Sequence, residues 1–264
     1  MLMKFENKRI LVTGGASGIG KALIAAFYHR GARQFAVLGR DKTKMETLKS
    51  AFPQAHFLFL IADLAQPSEL KAVFEGLPAE WNVLDILVNN AGVVSAGALE
   101  TISDDDIIAM QHINVTSLII LTKYALPRLR RSNEAAIINV SSGLGLIGMA
   151  FYTPYAATKA AVCRFSEALR RELNNPSIHV MTLYPTATDT PMMRTAGASG
   201  MDRPEDVAEK TIQGLINREI EVIMGGEKML VNRKLNFEGP LELDEKLKAN
   251  YETMRQRASA HRSM

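Results

Sequence analysis

Residues 10–20 read ILVTGGASGIG, an apolar run that passes directly into closely spaced glycines and then into a segment with helical periodicity. Glycines let the backbone turn sharply and approach a ligand, and the free N–H groups at a helix start attract a phosphate. Many strand-to-helix turns use glycine only to bend. The position of this turn after the first apolar run, with the spacing Gly-x3-Gly-x-Gly, favours a phosphate-binding turn.

Six further apolar runs rich in Val, Ile and Leu follow, separated by segments with apolar residues at helical spacing. Strands that are buried on both faces show continuous apolar runs of this kind, and helices with an apolar stripe cover such a sheet. The seven candidate strands are residues 10–13, 35–38, 56–62, 84–89, 136–141, 178–184 and 221–224. The alternation predicts an α/β fold, a Rossmann-type doubly wound parallel sheet of seven strands, with its ligand at the C-terminal ends of the strands.

The 264 residues show no compositional break, so we expect a single Rossmann-type domain over residues 1–240. The remaining residues, 241–264, are predicted to form an amphipathic helical tail. Its apolar face would dock either on the body of the protein or on a partner subunit. That face comprises Leu243, Leu247, Tyr251, Met254 and Ala258.

Composition argues against several classes of function. A net charge of +3 and 6% aromatic residues do not fit nucleic-acid binding, which combines a basic stripe with aromatics. The single cysteine, Cys163, fits a reducing compartment. No apolar run approaches the roughly 18 residues that span a bilayer, and no signal peptide is evident. We therefore expect a cytoplasmic protein without nucleic-acid partners or stable membrane insertion.

The histidines also argue against a metal centre. They stand far apart in the sequence and share no ligand motif, so each is expected to be a surface or packed histidine. They are His29, His56, His112, His179 and His261.

The second strand ends in Gly39, Arg40 and Asp41. In a dinucleotide-binding fold, an acidic residue at this strand end accepts a hydrogen bond from a ribose hydroxyl, whereas an arginine pairs with a ribose phosphate. Arg40 therefore favours NADP as the cofactor. A shift of one residue would bring Asp41 to the ribose and would favour NAD instead.

Tyr155 and Lys159 stand four positions apart and therefore share one face of a helix. A free phenol titrates near pH 10, and a nearby cation stabilises its phenolate, which brings it closer to the working range of a general acid or base. Ser142, just past a predicted strand, can donate a second hydrogen bond to the same substrate oxygen.

Together these motifs resemble the short-chain dehydrogenase/reductase family, in its simple single-domain branch, from about Lys8 to Met224. The resemblance implies a catalytic tetrad of Asn114, Ser142, Tyr155 and Lys159, in which Asn114 would hold a water that relays protons from Lys159. It also implies a set of cofactor-binding residues, which combines the glycine loop, the strand ends and the tetrad helix. These are Gly14, Ser17, Gly18, Ile19, Gly20, Arg40, Asp63, Leu64, Asn90, Ala91, Gly92, Tyr155, Lys159, Pro185, Thr188 and Thr190.

The chain departs from the family pattern after the sixth strand, where Pro185-Thr186 replaces the usual Pro-Gly. Thr188 and Thr190 follow, and they are expected to keep the contact with the nicotinamide amide. The segment that closes over substrate in relatives corresponds to residues 186–203. It is short and is predicted to form a mobile lid with apolar contacts. The lid contains Met192, Met193, Gly197 and Gly200.

The resemblance implies hydride transfer between a nicotinamide and a carbonyl or secondary alcohol, with Tyr155 as general acid or base. Four apolar residues before Tyr155 predict a moderately apolar small-molecule substrate: Leu144, Ile147, Met149 and Phe151. Two alternatives stay open, a catalytically silent NAD(P)-binding regulator and an NAD-preferring alcohol dehydrogenase. Relatives commonly pair through the helices that correspond to residues 103–131 and 155–174, which implies a homodimer or homotetramer.

Overall fold

The strands form a seven-stranded parallel sheet, as predicted. A computed structural model describes residues 3–196 and 199–264. The sheet has the order β3-β2-β1-β4-β6-β7-β8, and a short antiparallel pair, β5 with β9, lies outside it. The strands are β1 (Arg9–Thr13), β2 (Gln34–Gly39), β3 (His56–Ile61), β4 (Ile86–Asn89), β5 (Val94–Ser95), β6 (Ala135–Val140), β7 (Ile178–Tyr184), β8 (Glu221–Ile223) and β9 (Arg262–Ser263).

Helices cover both faces of the sheet, because successive strand residues point to opposite sides. Ile10 and Val12 of β1 pack into one core with α1, α2 and α7, whereas Leu11 packs into the other with α3, α5 and α6. The helices are α1 (Gly18–His29), α2 (Lys42–Ala51), α3 (Leu70–Glu75), α4 (Asp104–Gln111), α5 (Ser117–Leu129), α6 (Thr153–Leu173), α7 (Pro204–Ile216), α8 (Gly226–Glu238), α9 (Pro240–Lys248) and α10 (Tyr251–Ala258). None of the helices in the described ranges is long and apolar enough to cross a bilayer.

Two helix starts follow from local chemistry. The Ser103 hydroxyl accepts a hydrogen bond of 3.2 Å from the N–H of Asp106 and caps α4. Pro204 occupies the first turn of α7, where its missing N–H leaves no helical hydrogen bond broken. Between α4 and α5 the helix widens into a π-helical turn over His112–Thr116, a local feature that often accompanies functional sites.

The C-terminal tail differs from the single helix that the apolar stripe suggested. It breaks at Ala249 and Asn250 into α9 and α10, and then ends in β9. Leu243 and Ala258 are buried, whereas Tyr251, the first residue of α10, remains 53% exposed, so the predicted stripe does not form one continuous buried face. The tail docks on the body of the same chain, where β9 pairs with β5.

Candidate active site

A cavity of about 420 Å³ includes the ends of β1 and β4, which are neighbours in the sheet. From β1 the strand order runs to β2 and β3 on one side and to β4 on the other, so the connecting loops diverge and leave a crevice. The cavity brings together most of the residues proposed from the sequence. They are Gly14, Ser17, Gly18, Ile19, Asn90, Ala91, Gly92, Ser142, Tyr155, Lys159, Pro185, Thr188 and Thr190.

The glycine turn leaves room at the cavity floor that a side chain would fill. Gly14 and Gly18 have φ angles of 65° and 51°, in the left-handed region that favours glycine. A Cβ atom on Gly18 would lie 3.0 Å from Cγ2 of Thr190. Ser17 precedes α1 without a side-chain capping hydrogen bond, which leaves the N–H groups of the first turn free of a capping side chain. The turn therefore fits the pyrophosphate of a dinucleotide.

A threonine holds the second loop of the cavity against the glycine turn. Oγ1 of Thr13 accepts hydrogen bonds of 2.9 Å from the N–H groups of both Asn90 and Ala91. The side-chain amide of Asn90 in turn donates to the carbonyl oxygen of Thr13 at 2.9 Å. Next along this loop, a Cβ on Gly92 would lie 3.3 Å from Nζ of Lys159, so the absence of a side chain leaves room beside the Lys159 ammonium.

Tyr155 lies in the first turn of α6 and reaches the cavity beside Ser142, which follows β6. Burial raises the pKa of Tyr155 to about 12, whereas a hydrogen bond with the Ser142 hydroxyl lowers this pKa by a smaller amount. The sequence suggested that a neighbouring ammonium would lower this pKa. The direction is reversed because burial of the phenol dominates. The Tyr155 phenol is therefore protonated at neutral pH.

Lys159 is almost completely buried one helical turn further along α6. Its Nζ donates a hydrogen bond of 3.0 Å to the carbonyl oxygen of Val140 and lies 5.7 Å from the centre of the Tyr155 ring. Burial lowers the pKa of Lys159 to about 8, because the charged form loses hydration. The group can therefore gain or lose a proton close to physiological pH.

Asn114 lies in the π-helical turn and forms hydrogen bonds with two segments that border the cavity. Its Oδ1 accepts from the N–H of Val93 at 2.8 Å, and its Nδ2 donates to the carbonyl oxygen of Val93 at 2.9 Å and to Oγ1 of Thr158 at 3.1 Å. The side chain thus links the loop after β4 to α6. Its predicted part in a proton relay stays a prediction.

Four predicted cofactor residues lie outside this cavity. Gly20 packs tightly in α1, where an added Cβ would lie 2.6 Å from Nδ2 of Asn90. Arg40 is exposed directly after β2. After β3, Oδ1 of Asp63 accepts from the N–H of Ala65 at 2.9 Å, and Leu64 is buried.

The other side of the cavity is apolar. Leu144 and Met149 line it as predicted for the substrate side, whereas Ile147 and Phe151 do not. The ring of Phe151 instead packs against Tyr251, with 5.0 Å between the ring centres. Of the predicted lid, Met192 and Met193 also line the cavity, whereas Gly197 lies outside the described residues.

The sequence reasoning missed the contribution of residues from the last part of the chain. These residues also line the cavity, together with Tyr152, and comprise Met229, Met254, Arg257, His261 and Ser263. The Tyr152 hydroxyl lies 2.9 Å from Nδ1 of His261, whose Nε2 lies 3.1 Å from the carbonyl oxygen of Met192. The apolar face of the tail indicated that the tail packs against another surface. It did not indicate that this surface borders the cavity.

Comparisons with known proteins agree with this geometry. A sequence model described as short chain dehydrogenase matches residues 8–199. An uncharacterized oxidoreductase of Thermotoga maritima is 32% identical over 211 residues, which cover 79% of this chain and 82% of the relative. A short-chain dehydrogenase from Sphingobium yanoikuyae, solved in complex with NADPH, has a TM-score of 0.75 at 26% identity and covers 92% of this chain and 96% of its own.

A second similar structure was solved with NADH instead of NADPH. It is a 3-ketoacyl-(acyl-carrier-protein) reductase from Brucella melitensis complexed with NADH. Its TM-score is 0.73 at 26% identity, and the match covers 84% of this chain and 99% of that one.

Proposed function

This chain belongs to the short-chain dehydrogenase family, and on that premise we propose that it is an NADP-dependent oxidoreductase acting on a carbonyl or secondary alcohol of a moderately apolar small molecule. One observation carries the proposal: the cavity joins Ser142, Tyr155 and Lys159 to a glycine cradle for a dinucleotide. The bound nicotinamide supplies or accepts the hydride. The protein must then orient the substrate and move a proton.

Tyr155 is the proposed general acid. Because burial raises the pKa of Tyr155 to about 12, the phenol keeps its proton at neutral pH and can donate it to a carbonyl oxygen. Ser142 donates a hydrogen bond to the same oxygen, and Lys159 stands one turn away to replace the lost proton. The cavity lining is mainly apolar, which lowers the local dielectric constant and strengthens these polar interactions. A protonated phenol is the form that reduction of a carbonyl requires.

The end of β2 supports NADP over NAD. Oδ1 of Asp41 accepts a hydrogen bond of 3.0 Å from the N–H of Lys44, which makes Asp41 the N-cap of α2. The pKa of Asp41 is accordingly lowered by that backbone hydrogen bond. A carboxylate occupied as a helix cap is less available to a ribose hydroxyl. Arg40 remains exposed beside it to pair with a 2′-phosphate.

A titration with NADPH and NADH, followed by nicotinamide fluorescence, tests both the cofactor and its selection. We expect NADPH to bind at least about tenfold more tightly, an effect of one charge-assisted pair. Arg40→Ala should abolish this preference. Lys42→Ala, which removes a neighbouring exposed charge, should preserve it. A preference for NADH would favour the NAD-preferring alcohol dehydrogenase, and binding of neither would favour the silent regulator.

We also infer how the chain is divided and assembled. Residues 1–240 form the catalytic domain and residues 241–264 a tail that completes its pocket.

A homodimer or homotetramer is supported by Ile108 on α4 and Ile119 on α5, which are 52% and 38% exposed. A cytoplasmic location is supported by the free thiol of Cys163. Light scattering of wild type and Ile119→Glu tests the oligomeric state.

A further inference from the structure

The C-terminal tail places an arginine without a carboxylate partner at the substrate side of the cavity. Arg257 lies on α10 and lines the cavity, and its Nε is buried without a hydrogen-bond partner. The two other arginines of the last helix and strand are paired, Arg255 with Glu252 and Arg262 with Asp106. Within residues 3–196 and 199–264, no carboxylate lies within 4.0 Å of the Arg257 guanidinium.

The cavity itself supplies no negative charge. Its described lining includes the cations Lys159 and Arg257 but neither aspartate nor glutamate. The cavity that Arg257 lines is mainly apolar, and Met192, Met229 and Met254 also line it. A guanidinium in such surroundings is costly to desolvate unless a partner compensates its charge. A ligand that brings an anion into the cavity would provide this compensation.

The histidine beside Arg257 cannot act as that partner. Nε2 of His261 donates to the carbonyl oxygen of Met192, so its Nδ1 is the acceptor for the hydroxyl of Tyr152. Burial lowers the pKa of His261, and the charge of Arg257 adds to the effect. The imidazole is therefore neutral and fully occupied by two protein partners.

Arg257 is also placed near the reacting groups. It neighbours the hydroxyl of Tyr152, whose pKa is raised by burial and lowered in part by Arg257. Tyr152 stands three positions before Tyr155, at the start of the same helix. Arg257 therefore belongs to the substrate side of the cavity, which lies apart from Arg40 at the end of β2.

We propose that Arg257 binds a carboxylate of the substrate, which makes the substrate an oxo acid or hydroxy acid with an apolar chain between its two functional groups. This inference rests on the proposed function and narrows its substrate class. A planar guanidinium matches a carboxylate through two parallel hydrogen bonds. The methionines contact the chain between the two groups and adapt to its shape. A single arginine suits a monoanion better than a phosphate, which recruits several donors.

A binding experiment tests the site without turnover. Calorimetric titration of the full chain, with NADP⁺ and NAD⁺ both present, compares hexanoate with hexanamide, which has the same length and no charge. We expect hexanoate to bind about tenfold or more tightly than hexanamide. Arg257→Gln should remove the difference, Arg257→Lys should retain part of it, and Arg255→Gln should leave it unchanged. Equal binding of the two compounds, or binding of neither, overturns the inference.

An activity experiment separates this inference from the proposed function. The substrates are 5-oxohexanoate and its methyl ester. For the acid, we expect Arg257→Gln to lower kcat/KM about tenfold or more, mainly through KM, while the ester is unaffected. Reduction of the ester without preference for the acid would refute the carboxylate site and leave the proposed function standing. Arg257-dependent binding of hexanoate by a chain that binds neither NADPH nor NADH would support the site and refute the proposed function.

Folding is controlled within the same series. Arg257→Gln should unfold at the same temperature as Arg255→Gln, since neither change removes an ion pair between the tail and the body. If Arg257→Gln alone loses the docked tail, the charge-retaining Arg257→Lys and the acid-to-ester ratio decide the outcome. If kcat/KM of Arg257→Lys for the acid is no higher than its kcat/KM for the ester, the inference is overturned.

Discussion

Arg262 and Asp106 lie 156 positions apart in the sequence and are joined by two hydrogen bonds, of 2.8 Å and 2.9 Å, between guanidinium and carboxylate. Asp106 also accepts a hydrogen bond of 2.8 Å from the hydroxyl of Ser95. One buried carboxylate thereby ties β9 to β5 and to the first turn of α4. The pairing holds the end of the chain, and with it Arg257 and His261, at the cavity wall.

Arg262→Ala should loosen the tail without unfolding the domain. The Arg262 side chain is 63% exposed, so solvent screens the pair and we expect only a small loss of unfolding free energy. Hydrogen exchange at β5 should increase, and KM for the substrate should rise more than kcat falls. The matched control is Arg255→Ala, which breaks an ion pair within α10. Unchanged exchange at β5 would contradict this account.

Tyr155→Phe should lower turnover by about a thousandfold, within the range for loss of a general acid. Affinity for the dinucleotide should change little, because the ring and its packing remain. Turnover and nicotinamide fluorescence measure the two quantities separately. Tyr28→Phe, which removes a hydroxyl remote from the cavity, should behave as wild type. Substantial activity in Tyr155→Phe would rule out the phenol as the acid.

Lys159→Met should change how stability depends on pH. The pKa of Lys159 falls from 10.5 to about 8 on folding, so between these values the unfolded chain binds more protons and the stability contribution rises with pH. Below pH 8 the buried ammonium opposes folding by about 3 kcal/mol. The methionine variant should therefore be the more stable protein at pH 7, and its advantage should shrink towards pH 10. Urea unfolding at several pH values measures the difference, and a constant difference would argue against a shifted Lys159.

Acidification should release the tail through His261. Burial holds the pKa of His261 below its usual 6.5, so the unfolded chain binds more protons and stability is lost as pH falls through and below that value. Protonated Nδ1 can no longer accept from Tyr152, and Arg257 repels the new charge. Proteolysis of the C-terminus should accelerate below about pH 6 in wild type. In His261→Asn its rate should depend less on pH, and the same acid response in both proteins would exclude His261.

Gly18→Ala should weaken dinucleotide binding. Gly18 has a φ angle of 51°, and its added Cβ would press to 3.0 Å from Cγ2 of Thr190. We expect a strain of about 1–2 kcal/mol in the folded chain. If the turn shifts to relieve this strain, its N–H groups move away from the pyrophosphate and the affinity should fall roughly tenfold. Gly148→Ala provides the control, since no described residue other than its two chain neighbours has an atom within 4 Å of the added Cβ. Fluorescence titration of both variants measures the effect, and equal affinities would show that the turn tolerates a side chain.

The sequence by itself determined the sheet and the elements around the cavity. Burial on both faces requires unbroken apolar runs, and all seven predicted strands occur within two residues of their expected ends. The glycine turn, Ser142, Tyr155 and Lys159 could be placed because each depends on local geometry, namely a turn, a strand end or one helical face.

Only the tertiary structure decided what surrounds these groups. The direction of the Tyr155 pKa shift depends on burial, which no spacing of charges encodes. The partners of Tyr152 and Asp106 come from the last residues of the chain, 109 and 156 positions away. Local periodicity predicts that the tail has an apolar face, but not which surface covers it. Long-range packing therefore makes Arg257 and His261 part of the site.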